Sequence, residues 1–326
     1  MSERLHLTMS CDSYDRVQAL IDGSVKPEGI DLTFLANTGA ETFWRMLRYK
    51  EFDVAEMSLS SYVATLFSED PAFIAIPVFP SRVMRHSCIQ INSEGSVKTP
   101  KDLIGKRVGL PEWQVTAAVW IKGFLQDEYG VPVESIKYFT GGVEDPGREE
   151  KIPLSLPEKF SLTVIDPRRT LAQMLEDGEI DALYFTVLKN YKHIKRLFEN
   201  YAEVEQEYYK RTKLFHIMHT VVIRRDLYEK FPWVAQSMMK ALTAAKDKAF
   251  KEMYSLGRLK IMLPWLNDHI DRTRDLMGED YWPYGVEPNR HTLETFLRYS
   301  FEQGLSKRLL KPEEIFAPET IESYKF

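Results

Sequence analysis

The chain has 326 residues, 44% of them hydrophobic and 12% aromatic, enough to bury more than one core, so two domains are expected. Its net charge of −5, with no basic block or aromatic–basic ribbon, argues against nucleic acid as a partner, and any anion site must be made locally by arginines and helix ends. Two cysteines, Cys11 and Cys88, fit free thiols in a reducing compartment, and no stretch is long and apolar enough to span a bilayer.

Leu5, Leu7 and Met9 alternate as a first strand over residues 5–9. No charged region, long apolar run and small-residue cleavage site precede it, so a cytoplasmic location is expected. Ser10 to Tyr14 read as a loop, and Arg16 opens a short helix closed by Gly23. A second strand alternates through Ile30, Leu32 and Phe34, followed by a helix from about Glu41 to Tyr49 and a strand from Asp53 to Met57. Ser58 is placed to cap the next helix, with Ser60 and Ser61 in its first turn. This strand–helix alternation predicts a mainly parallel sheet.

Phe73–Phe79 reads as another strand, and Arg82, Arg85 and His86 precede the next one. Val108–Phe124 then reads as strand, polar loop and helix, with Thr116 as N-cap, a buried face through Trp120, Ile121 and Phe124, and Gly130 as the stop. A helix start fed by a strand presents unpaired N–H groups that suit a carboxylate, and the loop adds Glu112, Trp113 and Gln114. Residues 141–156 form a Pro- and Gly-bearing excursion, 180–185 a strand, and 188–213 two amphipathic helices. A β pattern returns at Met218–Ile223, and Pro232 opens a helix reaching about Tyr254. A further helix runs from Pro264 to about Gly278, then the aromatic loop YWPYGVEPNR and a helix from His291 to Gln303.

The strands that run on near 85–92 and 214–223 mark two crossings between lobes. Residues 1–87 and 221–326 would form a discontinuous first lobe and 88–220 the second, each a mainly parallel sheet flanked by helices, with a ligand cleft between. Paired arginines and helix starts suit a ligand with more than one carboxylate, because guanidinium binds carboxylate in a bidentate fork. Arg82 and Arg16 are the candidate anchors, supported by Thr116, Gln114, Ser58, Ser60 and Arg290. His86 and His219 are the acid/base candidates, with Glu112 as alternative, and Trp113, Tyr284 and Asn289 are further candidates on the loops of the cleft. No zinc-spaced Cys/His cluster, phosphate-cradling glycine loop or Gly-flanked serine is present.

The segments LRYKEFDVAEMSLSSY, IPVFPSRVMRHSCI, PKDLIGKRVGLPEWQVTAAVWIKGFLQDEYGV, IMHTVVIRRDLYEKFPWVA and YWPYGVEPNRHTLETFLRYSFEQGL together resemble the 4,5-dihydroxyphthalate decarboxylases, over nearly the whole chain. The resemblance implies an α/β two-lobed fold of the type II periplasmic-binding-protein-like superfamily and a carboxy-lyase that converts a hydroxylated aromatic dicarboxylate to protocatechuate and carbon dioxide. In 4,5-dihydroxyphthalate each hydroxyl is para to a carboxylate, so electron density reaches the carbon to be protonated and no organic cofactor is expected; a divalent metal stays open. For such a ligand Tyr284 and Asn289 would face the hydroxyl edge and Trp113 would stack on the ring. A non-catalytic binding protein for a small carboxylate, or another enzyme on this scaffold, is the alternative. The expected partner is the small aromatic carboxylate alone, with no membrane and with homo-oligomerisation left open.

Overall fold

Period-two alternation and β-branched runs become strands, and Gly- or cap-bounded periodic runs become helices, in a computed structural model that describes residues 4–186, 188, 191–253 and 257–322. Among these residues eleven strands occur in chain order. They are β1 Leu5–Cys11, β2 Ile30–Ala36, β3 Val54–Ser58, β4 Phe73–Ile76, β5 Ile89–Asn92, β6 Arg107–Leu110, β7 Lys137–Thr140, β8 Ser161–Val164, β9 Ala182–Tyr184, β10 Ile194–Arg196 and β11 His219–Arg224.

The chain divides into two units, the first made of Met1–Ser81, His219–Leu293 and Lys311–Phe326, the second of Arg82–Met218 and Glu294–Leu310. Residues 294–310, expected with the first lobe, thus count with the second unit. Buried hydrogen bonds hold them there: Trp113 Nε1 donates to Gln303 O at 3.0 Å, and Gln303 Nε2 donates to Val119 O at 2.9 Å.

The first unit carries a five-stranded sheet in the order β2-β1-β3-β11-β4. β1 runs parallel to β2 and β3, whereas β11 is antiparallel to both β3 and β4. The second unit carries a six-stranded sheet, β10-β5-β9-β6-β7-β8, parallel from β9 to β8 and antiparallel around β5. Both sheets are therefore mixed rather than mainly parallel. The antiparallel members, β5 and β11, are the strands that begin just after the chain passes between units, where no crossover helix imposes a parallel return.

β3 is buried at every position because it lies between β1 and β11 under the Gly39–Tyr49 helix, which buries Thr42, Phe43 and Met46. Thr38 caps that helix, accepting from Glu41 N at 3.5 Å. Ser58 caps the Leu59–Thr65 helix as expected, accepting from Ser61 N at 3.5 Å. In the second unit the Thr116–Tyr129 helix ends on Gly130 in the left-handed region (φ 64°). Its N-cap is Val115 rather than Thr116, which is the first helical residue. The helix is buried all round from Ala118 to Leu125 instead of on one face, since the 294–310 segment covers it as well. Gly123 is required there: a Cβ would lie 2.2 Å from the Tyr299 ring.

The 188–213 region differs from its two expected helices. Among the described residues it holds β10 and a single helix, Tyr201–Thr212. Residues 189–190, and Tyr254 at the expected end of the Trp233–Met253 helix, lie outside the described residues.

Candidate active site

Glu56 sits in the middle of β3, a carboxylate at 0% exposure in a strand that otherwise reads VA–MS. Its neighbours follow from sheet register. Val221 on β11 is its direct partner, and side chains alternate, so His219, two residues earlier, falls on the same face. Met9 opposite Val54 on β1 puts Cys11 on that face too.

Four donors converge on the carboxylate. Oε1 accepts from His219 Nδ1 at 2.6 Å and from the Tyr14 hydroxyl at 2.8 Å. Oε2 accepts from Asp12 N–H at 3.1 Å and, more weakly, from Cys11 Sγ at 3.4 Å. Burial by itself pushes the Glu56 carboxyl up; the His219 imidazole, the Tyr14 hydroxyl and the Asp12 amide outweigh it, and the net direction is below the ordinary value. Burial and then the Glu56 charge raise Tyr14 and Cys11, so both stay protonated donors.

Because Nδ1 faces the carboxylate, the hydrogen-bond pattern assigns it the proton and leaves Nε2 as the nitrogen that exchanges protons. The His219 side chain keeps 20% exposure, against none for Glu56. Phe43 stands edge-on to the imidazole, ring centroids 4.8 Å apart. His219 is also the strand partner of Ser58, which places that serine beside the pair. Arg16 stacks on the Tyr14 ring at 4.0 Å and on Trp282 at 4.6 Å, donates from Nε to Pro80 O and bonds Asp15 at 2.9 Å. The first unit therefore joins Arg16, Ser58 and His219 of the expected set to Glu56 and Tyr14, which sequence reasoning passed over.

Other expected residues are engaged differently. Asn289 is buried and donates to Pro283 O at 3.0 Å and Gly285 O at 2.8 Å, holding its own loop rather than a hydroxyl edge. Arg290 pairs with Glu287 and with Glu313, the latter at 2.5 Å. Tyr284 is buried with the Lys246 ammonium 5.3 Å from its ring. Ser60 is buried in the first turn of its helix.

In the second unit, Trp113 is wholly buried between Lys122, whose ammonium lies 3.2 Å from the ring centroid, and the Tyr138 and Phe160 rings. It packs the core, so the stacking role expected for it has no open face. Glu112 is buried and bound by Arg148 at 2.6 Å and by Lys151, which fastens the 141–156 excursion to the loop before the helix. Gln114 does the same: with its amide turned to satisfy its neighbours, its oxygen accepts from Ile152 N at 2.9 Å. Both are spent on this strap, which opposes a base role for Glu112. Thr116 is buried at the helix start, and Arg82 is buried with a long contact to Phe215 O at 3.4 Å.

His86 is also wholly buried, stacked on Phe124 at 4.2 Å and flanked by Phe198 and Tyr208, with Glu205 3.9 Å from Nδ1. Neither ring nitrogen has a hydrogen-bond partner among the described residues. Desolvation, with the Arg211 charge behind it, lowers its pKa to about 4, so it stays neutral. It is a packing histidine beside His216, which stacks on Trp120 at 4.4 Å. Of the two expected acid/base histidines, only His219 has an orienting carboxylate. Among the described residues no group of three or more His, Cys, Asp or Glu could hold a metal ion.

Comparison with known proteins agrees with the fold and gives it a lineage. No protein-family model matches the chain. It is 40% identical over 327 residues to the 4,5-dihydroxyphthalate decarboxylase of Comamonas testosteroni, covering 99% of each chain. The chain belongs to the 4,5-dihydroxyphthalate decarboxylase family. The decarboxylase of the same name from Pseudomonas putida is 38% identical over 180 residues, 55% of this chain and 70% of that one. Among solved structures, the aliphatic sulphonate-binding protein SsuA of Escherichia coli aligns with a TM-score of 0.51 at 12% identity over 98% of this chain and 99% of that one. A DSZB mutant in complex with biphenyl-2-sulfinic acid aligns equally well, at 0.51 and 12%, over 98% of both chains. At these identities the two structures speak for the fold alone: this chain shares an α/β architecture with the periplasmic SsuA.

Proposed function

We propose that the chain is a cofactor-independent carboxy-lyase acting on 4,5-dihydroxyphthalate or a close hydroxylated aromatic dicarboxylate, and that His219, held by Glu56, delivers the proton. The family supports the reaction; the Glu56–His219 hydrogen bond of 2.6 Å, with its three further donors to the same carboxylate, is the observation that carries the residue assignment. Glu56 fixes the imidazole's tautomer and orientation and stabilises its cation, as the acid in an oriented acid/base pair must be held.

In this scheme the ring hydroxyl para to the departing carboxylate donates electron density to the carbon that bears it. His219 Nε2–H protonates that carbon. The bond to the carboxylate then breaks, its electron pair restores the aromatic ring, and carbon dioxide leaves. The proton consumed is replaced on His219 from solvent, so one proton is taken up for each carbon dioxide released. Arg16 anchors the carboxylate that stays, its cation carried on the Tyr14 and Trp282 rings. A reducing, intracellular setting belongs to the proposal: Cys11 acts as a hydrogen-bond donor to Glu56 only as a thiol.

The test is carbon dioxide release from purified protein given hydroxylated phthalates and benzoates. Stoichiometric release from 4,5-dihydroxyphthalate is expected. Tight binding with no release from any of them would reduce the protein to a binding module.

A further inference from the structure

The contacts of Arg16 differ in how firmly they hold it. Its Nε donates to Pro80 O, and its guanidinium carbon stands 4.0 Å from the centre of the Tyr14 ring and 4.6 Å from that of Trp282. The indole is fixed in turn, with Nε1 donating to Phe79 O at 2.9 Å, so two successive carbonyls hold the arginine and a ring it stacks on. All of these groups belong to the first unit. The remaining contact is of another kind. Nη1 donates at 2.9 Å to Oδ1 of Asp15, whose side chain is 46% exposed against 17% for the arginine. The same Oδ1 accepts the Arg16 backbone N–H at 2.7 Å.

This arrangement bears on how a ligand carboxylate reaches the guanidinium. The Nε edge is closed by Pro80 O, which leaves the fork of Nη1 and Nη2. Among the described residues Nη2 has no hydrogen-bond partner, while Nη1 is held by Asp15. A carboxylate that takes the fork in bidentate fashion must therefore replace Asp15 at Nη1. Asp15 can yield by a side-chain rotation and keep its bond to the backbone N–H, so it gives up one of two bonds. A half-exposed ion pair contributes little, and a desolvated bidentate pair contributes more, so the exchange runs toward the ligand. Being the adjacent residue, Asp15 stays within reach of the guanidinium throughout.

We propose that Asp15 is an internal competitor for Arg16 that sets the affinity for aromatic carboxylates. It holds the guanidinium in the free protein, gives it up to the carboxylate of the ligand, and takes it back as the product leaves. The inference rests on the reading of Arg16 as the anchor. In that scheme substrate and product each keep one carboxylate on Arg16, so Asp15 acts on both. Its own negative charge beside the bound carboxylate works in the same direction.

Calorimetric binding of phthalate tests it. Phthalate has no ring hydroxyl to drive the loss of carbon dioxide, so it reports on the anchor whether or not the protein is a decarboxylase. Asp15→Asn keeps an oxygen for the Arg16 backbone N–H and removes the charge. The dissociation constant of phthalate is expected to fall about fivefold, and that of protocatechuate by a similar factor. Arg16→Gln should weaken phthalate by about tenfold or more, and Asp15→Asn should add nothing in that background. Unchanged or weaker binding by folded Asp15→Asn, with Arg16→Gln still impaired, overturns the competition and leaves the anchor in place. Arg16→Gln binding phthalate as well as the wild type does overturns both. Tightening by Asp15→Asn that persists beside Arg16→Gln would reduce Asp15 to a general repulsive charge and overturn the exchange.

Discussion

Replacing Glu56 by Gln keeps the volume and one acceptor oxygen but removes the charge, and so isolates what the carboxylate does for His219. With Oε1 2.6 Å from Nδ1, the two charge centres lie about 4 Å apart, and at an effective dielectric of 20 their attraction is about 4 kcal/mol. An imidazolium that must form before it protonates carbon loses most of that stabilisation, which corresponds to about 10³ in rate. The Gln amide also brings an N–H₂ group among the Tyr14, Asp12 and Cys11 donors, where an acceptor is needed. The expected result in a carbon dioxide release assay is a kcat lowered by 10² to 10⁴ with KM within a few-fold, the split that marks a group acting on the transition state rather than on binding. A kcat within threefold of wild type, in a folded variant, would refute the reasoning.

Tyr14→Phe removes one donor from Glu56 and should lower kcat about tenfold, a milder loss than Glu56→Gln; a larger loss would mean the hydroxyl touches substrate directly. His86→Leu should leave kcat within a few-fold. Because His86 titrates at about 4 in the folded chain and near 6.5 unfolded, the wild type loses stability as pH falls between those values, by roughly 3 kcal/mol in all, and the variant's urea unfolding should lack that slope. Glu150 gives the opposite sign. Burial raises its carboxyl to about 7, so its contribution is present below about 4.5 and is lost as pH rises through 7; Glu150→Gln should be more stable than wild type at pH 8 by roughly 3 kcal/mol and about equal at pH 4. Identical pH profiles for wild type and variant would contradict either assignment.

The two-lobed α/β class was legible because it rests on repeated strand–helix alternation, and Ser58 and Gly130 announced a cap and a stop by residue type alone. Strand direction was not: β5 and β11 carry ordinary apolar patterns, and nothing in such a pattern distinguishes a parallel insertion from an antiparallel one. Glu56 escaped because its strand reads as apolar and one acidic letter looks like an edge position; a carboxylate flanked on both sides by core residues was the available signal. His86 and His219 looked alike in sequence, each beside a crossing. What separates them is tertiary: Phe124, Phe198 and Tyr208 enclose the first, whereas Glu56 and Tyr14 orient the second. Glu112 and Gln114 are unusually polar for a loop, but their polarity serves the Arg148–Ile152 strap, and Arg148 stands 36 residues along the chain from Glu112.

The central claim is that His219 supplies the proton that replaces the departing carboxylate. His219→Gln tests it most directly, with single-turnover carbon dioxide release and calorimetric binding of 4,5-dihydroxyphthalate measured on the same preparation. The account predicts release slowed at least a hundredfold with the dissociation constant changed by less than threefold. Near-normal release from the folded variant would contradict it.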